Sequence, residues 1–344
     1  MLTFYAREAL TDVGWRADVR LTVSTEGPLR GQVSKVELDR PPQPEDYHFR
    51  GPLIPGGTNV HSHCFQRIIA GRTERRSSRA ESHFWTWRQA MYQAVSTLTP
   101  EQIEACAALC FVEQLKGGYT SVGEFHYLHH TPTGIPYEDC IELSRRVIEA
   151  AQTANIALTH LPVLYRWSDM YRRSPQPEQG RFICTIDQYR QMIERLVPLT
   201  QSYSNLQIGL APHSLRAVSP QDLTELIQLW AQLGSATTPV HIHISEQLAE
   251  VQQCLEAYGA RPVEWLFDHA PINDRWCMVH ATHLSEAERQ QLAHSEAIVG
   301  LCPTTEANLG DGFFDIEPFL HEGGSIAVGS DSNVDARYSE ELRL

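Results

Sequence analysis

From Leu53 onward, short runs of apolar and β-branched residues alternate with longer stretches whose apolar positions recur every three to four residues. The short runs predict strands at 54–62, 119–126, 156–164, 206–212, 239–244, 276–281, 297–302 and 325–330. The longer ones predict helices at Pro100–Lys116, Tyr137–Ala154, Gln188–Val197, Pro220–Leu233 and Ala249–Tyr258. The helix after Thr99 is the best punctuated: a Thr cap, Pro100 at the first helical position, Gln102 as the capping-box partner, and Gly117-Gly118 to end it. Eight strands separated by helices predict parallel β/α units, hence an α/β chain with a (β/α)8 TIM-like barrel over residues 53–344. A doubly wound open sheet is the alternative, weakened because no glycine-rich dinucleotide or phosphate loop follows any strand. Residues 1–52 read differently. Short β-like pieces, Val19–Val23 and Gly31–Leu38, broken by Gly, Pro and charge, predict a small N-terminal β-domain outside the barrel. The polar, proline-containing segment Arg166–Arg181 reads as a long surface loop.

Composition narrows the function. A formal charge of −14 argues against a basic face for nucleic acid or an anionic membrane. No apolar run approaches membrane-span length, and the N-terminus lacks a signal-peptide core. The eight cysteines are scattered, with no C-x-x-C, which suits free thiols in a reducing cytoplasm. An acidic small substrate remains open, provided local arginines hold it.

The sixteen histidines matter by placement. His61 and His63 stand two apart behind the first predicted strand, so both imidazoles can converge on one point, as Zn²⁺ or a similar ion requires. Alone, an H-x-H is better explained by two polar residues in an exposed turn. Here the other strands repeat the pattern. His213 follows strand 206–212, His241 and His243 lie on 239–244, His280 ends 276–281, and Asp331 follows the last strand. A barrel gathers its catalytic groups at these C-terminal strand ends. Glu246, three residues beyond His243, points to His243 as the third ligand and leaves His241 as a buried structural neighbour. Three histidines and Asp331 leave a position open for water, the arrangement of a catalytic zinc site, although other divalent ions suit the same set. Glu246 and His280 are then placed to move protons, with Asp331 assisting.

Six motifs carry a resemblance: N-V-H-S-H-C-F-Q-R at Asn59–Arg67, F-W-T-W-R at Phe84–Arg88, G-E-F-H-Y at Gly123–Tyr127, P-H-S-L-R at Pro212–Arg216, C-P-T-T-E-A-N-L-G-D-G at Cys302–Gly312 and G-S-D-S-N at Gly329–Asn333. Together they resemble the amidohydrolase superfamily, whose members show H-x-H after the first barrel strand, histidines on the fifth and sixth, and an aspartate on the eighth. The resemblance implies metal ligation by His61, His63, His243 and Asp331, with one Zn²⁺ per chain, and proton transfer by Glu246 and His280. It also implies substrate contacts at Gln66, Arg88, Tyr127, His213 and Arg216, and a homodimer. The narrower motifs resemble a branch that hydrolyses N-formimino-L-glutamate to N-formyl-L-glutamate and ammonia in histidine degradation. The chemistry agrees. Such a substrate has two carboxylates, and the planar forks of Arg88 and Arg216 suit them. Without the motif, Arg88 reads as a helix-surface residue with Trp85 and Trp87 in the core.

Two departures stand out. Gly57-Thr58 and Cys64 replace residues usual in the family. The chain also stops at Leu344, shortly after the eighth strand, where the resemblance implies a final helix and strands completing the small β-domain. The expectation is that the strands of residues 1–52 lack partners and that the chain alone folds poorly. Two other readings stay open. One is deamination of an aromatic base such as guanine, which has no need of paired arginines. The other is a truncated barrel that binds metal without turnover.

Overall fold

The computed structural model describes residues 1–27, 31–73, 84–233 and 237–344, and of residues 84–86 the backbone alone. The chain divides into two units, Met1–Gly56 and Gly57–Leu344.

The first unit is a four-stranded sheet in the order β3-β2-β1-β4, built from β1 (Leu2–Thr11), β2 (Gly14–Val23), β3 (Val33–Glu37) and β4 (Tyr47–His48). β1 and β2 form an antiparallel hairpin turned through Asp12 and Val13 and leaving the turn at Gly14, whose φ of +90° suits glycine. Ala6, Ala9 and Val19 form its small core with Leu21 and Leu53. The expectation of unpartnered strands is thus corrected: these strands pair with one another, and β1 pairs in parallel with β4.

The second unit begins with β5 (Gly57–Ser62), β6 (Tyr119–His126) and β7 (Ala157–Leu164). A fourth stave is broken into β8 (Leu206–Ile208) and β9 (Ala211–Pro212), followed by β10 (Val240–Ile244), β11 (Trp276–His280), β12 (Ile298–Leu301) and β13 (Ser325–Val328). All pair in parallel. Bridges at Leu210–Val240 and Ser62–Asp331 link the remaining edges, so eight staves form the TIM-like barrel. Gly209 lies in the break of the fourth stave, at a close approach where a Cβ would lie 2.5 Å from Leu161.

Helices α1 (Phe84–Val95), α2 (Pro100–Lys116), α3 (Glu142–Ala154), α4 (Ile186–Leu196), α5 (Pro220–Leu233) and α6 (Leu248–Tyr258) occupy the connections, and the expected capping box opens α2. Two expected boundaries move. α3 starts at Glu142 rather than Tyr137, because Asp139 accepts the Ile141 N–H in a turn before it. α4 starts at Ile186, since Thr185 caps it and accepts from Gln188. Five short helices were not legible in the periodicity: α7 (Pro262–His269), α8 (Glu286–Ala293), α9 (Pro303–Leu309), α10 (Ile316–His321) and α11 (Tyr338–Arg343). None exceeds eight residues, too few turns for an apolar stripe to declare itself. All eight cysteines are free thiols. No helix among the described residues is long and apolar enough to cross a membrane.

The closure between β5 and β13 is where the first and last staves are fastened. The Asp331 N–H donates to the His61 carbonyl (2.9 Å) and the His63 N–H to the Asp331 carbonyl (2.8 Å). Beneath it runs a buried polar network. Asn59 Nδ2 donates to Ser330 Oγ (2.7 Å), and Ser330 Oγ donates to Asn333 Oδ1 (2.6 Å). Asn333 Oδ1 also accepts from Gln114 (2.9 Å), while its Nδ2 donates to Ser62 Oγ (3.1 Å) and to the Asp331 carbonyl (3.0 Å). Asn333 holds a φ of +55°, a conformation asparagine tolerates better than most residues. Asn333→Ala is expected to cost at least about 2 kcal/mol, because several buried donors and acceptors lose their partner at once. A urea midpoint equal to wild type at unchanged m-value would show that the network contributes no stability.

Candidate active site

His61 lies on β5 and His63 one residue beyond its end, at the mouth of a short 3₁₀ turn spanning Cys64–Ile69. His243 lies on β10 and Asp331 just past β13. These four side chains, all buried, bring one ligand atom each to within 4.8 Å of the others. His61 Nε2 lies 3.1 Å from His63 Nε2 and 3.0 Å from His243 Nε2, and Asp331 Oδ1 lies 3.1 Å from His63 Nε2. His241 stands outside the group.

The second nitrogens explain why this cluster needs a cation. His63 Nδ1 donates to the Phe125 carbonyl (2.8 Å) and His243 Nδ1 to the His213 carbonyl (3.0 Å). A neutral imidazole carries one N–H, so both rings present a bare lone pair at Nε2. Those lone pairs and the Asp331 carboxylate all face His61 Nε2, whose single proton can satisfy one of them. Burial holds the His61 ring down to about 3 and His243 well below its usual range, which keeps both rings neutral. Facing lone pairs with a buried carboxylate are repulsive until a metal ion joins them, and the carbonyl contacts are the outer support such ligands need. The residues fit the ion.

Beside this cluster stand His280 and Glu246, the two residues expected to move protons. His280 ends β11, with Nδ1 3.1 Å from Glu306 Oε1 and Nε2 3.9 Å from Glu246 Oε1. Burial alone would lower His280, but the carboxylates of Glu246, Glu306 and Asp331 outweigh it and push the ring up to about 10. Glu246 is itself held: Arg216 donates to its Oε2 (3.1 Å). Glu250, buried behind the pair, approaches Arg216 Nε at 3.8 Å and accepts the Ser245 and Glu246 N–H groups. Ser245, His280, Ala281, Asp331 and Asn333 all have φ between +46° and +70°. Non-glycine residues in this region cost energy, and five of them at these strand ends mark the rim where the barrel aims its side chains.

A cavity of about 260 Å³ adjoins the cluster, lined among others by Arg88, Tyr127, Tyr165, Phe182, His213 and Arg216. Ring contacts join it to the imidazoles: Tyr127 lies 5.0 Å from His63 and His213 lies 4.9 Å from His243, centroid to centroid. Four of the five residues expected to touch substrate therefore line one space. The fifth, Gln66, stands behind it and donates to the Tyr127 hydroxyl (2.7 Å). Arg88 lies on α1; its NH2 donates to Tyr165 (3.0 Å) and its Nε to Tyr92. Arg88 thus lines the cavity instead of the helix surface it would occupy without the motif, and neighbouring Trp87 packs partly buried on the core. The Trp85 side chain lies outside what is described. The segment 166–181 is likewise more than a surface loop. Ser168 and Asp169 line the cavity, and buried Arg181 ties the segment down through the His130 and Leu98 carbonyls.

Comparison with known proteins places the chain in a family. The family model described as "Amidohydrolase family" matches residues 53–344. A formimidoylglutamate deiminase of Pseudomonas aeruginosa is 44% identical over 346 aligned residues, which cover 100% of this chain and 73% of that protein. A crystal structure of an amidohydrolase from Brucella melitensis superposes with a TM-score of 0.92 at 42% identity, covering 100% of this chain and 74% of that one. An adenosine deaminase from Xanthomonas campestris, solved with bound zinc, shares the fold (TM-score 0.76, 21% identity, covering 99% of this chain and 72% of that one).

Proposed function

The chain belongs to the amidohydrolase family, and on that premise we propose that it is a zinc-dependent hydrolase of N-formimino-L-glutamate, releasing ammonia and leaving N-formyl-L-glutamate. The observation that carries this reading is the facing set of imidazole lone pairs and carboxylate, beside a cavity bearing two guanidinium groups. The 44% identity to a formimidoylglutamate deiminase supports it. His61, His63, His243 and Asp331 would hold one Zn²⁺. When bound, such an ion supplies Lewis acidity, bringing the pKa of a water down to about 7. Around it the chain's own groups divide the work. Asp331 accepts the water's proton, the charged His280 ring beside it helps to hold the proton inventory near the reacting carbon, and Glu246 delivers a proton to the departing nitrogen. Arg88 and Arg216 orient the two substrate carboxylates, Tyr127 and His213 wall the formimino end, and Gln66 fixes Tyr127. We place the enzyme in the cytoplasm, as a homodimer, in histidine degradation.

The aromatic lining of the cavity, Tyr92, Tyr127, Tyr165 and Phe182, also suits a planar base, which keeps guanine-like deamination as the second reading. An ammonia-release assay on the zinc-loaded chain with formiminoglutamate beside guanine and cytosine separates them. Ammonia and N-formylglutamate from the first compound alone are expected; release from guanine alone would overturn the acidic-substrate reading.

A further inference from the structure

We propose that His280, Cys302 and Asp331 form a second cation site, selective for a thiophilic divalent ion, next to the first. These three residues are buried and bring one ligand atom each to within 4.8 Å of one another. They arise from three adjacent, hydrogen-bonded staves: His280 ends β11, Cys302 follows β12 and Asp331 follows β13. Their backbones are thereby fixed with respect to each other. Cys302 belongs with Val60, Cys277 and Val279 in a small cluster of its own, separate from the main core.

One carboxylate braces two of the ligands. Glu306 Oε1 lies 3.1 Å from His280 Nδ1 and accepts the Cys302 N–H at 2.9 Å. A carboxylate fixing the ring of a ligating histidine is the outer support metal sites use. The donor set is one nitrogen, one sulfur and one oxygen. It suits Zn²⁺ or Cd²⁺ and disfavours Mg²⁺ and Ca²⁺, which prefer oxygen ligands throughout. Asp331 belongs to both groups, and its two carboxylate oxygens can serve two ions about 3.5–4 Å apart.

The consequence rests on the function proposed above: His280 cannot both move protons and hold an ion. Occupation of the second site therefore slows turnover, so metal in excess inhibits the enzyme it activates.

The zinc-loaded chain is dialysed against rising Zn²⁺ and its metal content measured by plasma emission. In parallel, Cd²⁺ is titrated while the ultraviolet thiolate-to-metal absorption band is followed, in wild type, Cys302→Ser and Cys302→Ala. Wild type is expected to reach two ions per chain, with the weaker one producing the band and lowering turnover tenfold or more. Both variants are expected to stop at one ion, to lack the band and to keep their turnover in the same metal excess. A wild type that stops at one ion, or a band and second ion that persist in both variants, overturns the second site and leaves the first intact. A wild type that holds no ion at all overturns the primary metal reading as well.

Discussion

Glu246→Gln is expected to leave the metal content of the chain unchanged and to lower kcat by about 10²–10⁴-fold, the usual scale for loss of a general acid. The geometry makes the substitution a clean one. Glu246 stands outside the four-residue metal group, so removing its charge takes no ligand away. A glutamine keeps an oxygen for the Arg216 hydrogen bond and the same volume beside His280. What disappears is the titratable proton. The charge balance also shifts, because Glu246 is the foremost of the carboxylates that hold His280 up at about 10. With that charge gone, His280 should release its proton at a lower pH, moving the alkaline limb of the kcat profile downward. Metal analysis beside steady-state kinetics checks both halves. Turnover near wild type would move the proton-transfer role to another group, and loss of metal would make Glu246 part of the ion's support instead.

The site was legible in the sequence to the extent that strand geometry makes it so. An i, i+2 pair on a strand must share a face, which is why His61 and His63 announced themselves, and why His241 and His243 needed Glu246 to tell them apart. The fact that strand C-termini converge in a barrel then linked His280 and Asp331 to them across hundreds of residues. Glu306 belongs to the Cys302–Gly312 motif but its task is invisible in the sequence, because its partner is a ring 26 residues away on another stave. The same holds for Asn333, whose contacts with Ser62 and Gln114 exist only after the first and last staves meet. The first strand of the hairpin, Leu2–Thr11, was hidden by Arg7 and Glu8 in its middle; pairing with β2 supplies what its own alternation does not. The wall formed by residues 166–181 was read as surface because it is polar. Its polarity is spent inward, through Arg181, rather than on solvent.

Arg88→Met is expected to lower kcat/KM for formiminoglutamate by about ten- to more than a hundredfold, the equivalent of roughly 1.5–3 kcal/mol for a charge-assisted contact. The effect should fall mainly on KM, since a grip on a remote carboxylate is made in the ground state and the transition state alike. Arg88 is the better of the two arginines to test. Arg216 already lies against Glu246 and Glu250, so its removal would strand two buried carboxylates and disturb proton transfer together with binding. Arg88 is steadied by the hydroxyls of Tyr92 and Tyr165, which can turn to other partners when the guanidinium is gone. Arg88→Lys should recover only part of the loss, because an ammonium cannot present two parallel N–H groups to one carboxylate. The loss should also be selective: a formimino compound lacking the corresponding carboxylate should be turned over equally by wild type and variant. A double comparison is therefore available, Arg against Met in the protein and carboxylate against none in the substrate, and the coupling between them is the measured quantity. If Arg88→Met leaves formiminoglutamate turnover intact, or weakens both compounds alike, the guanidinium does not read the acid. The aromatic walls of the cavity would then be its recognition surface, and a planar base its substrate.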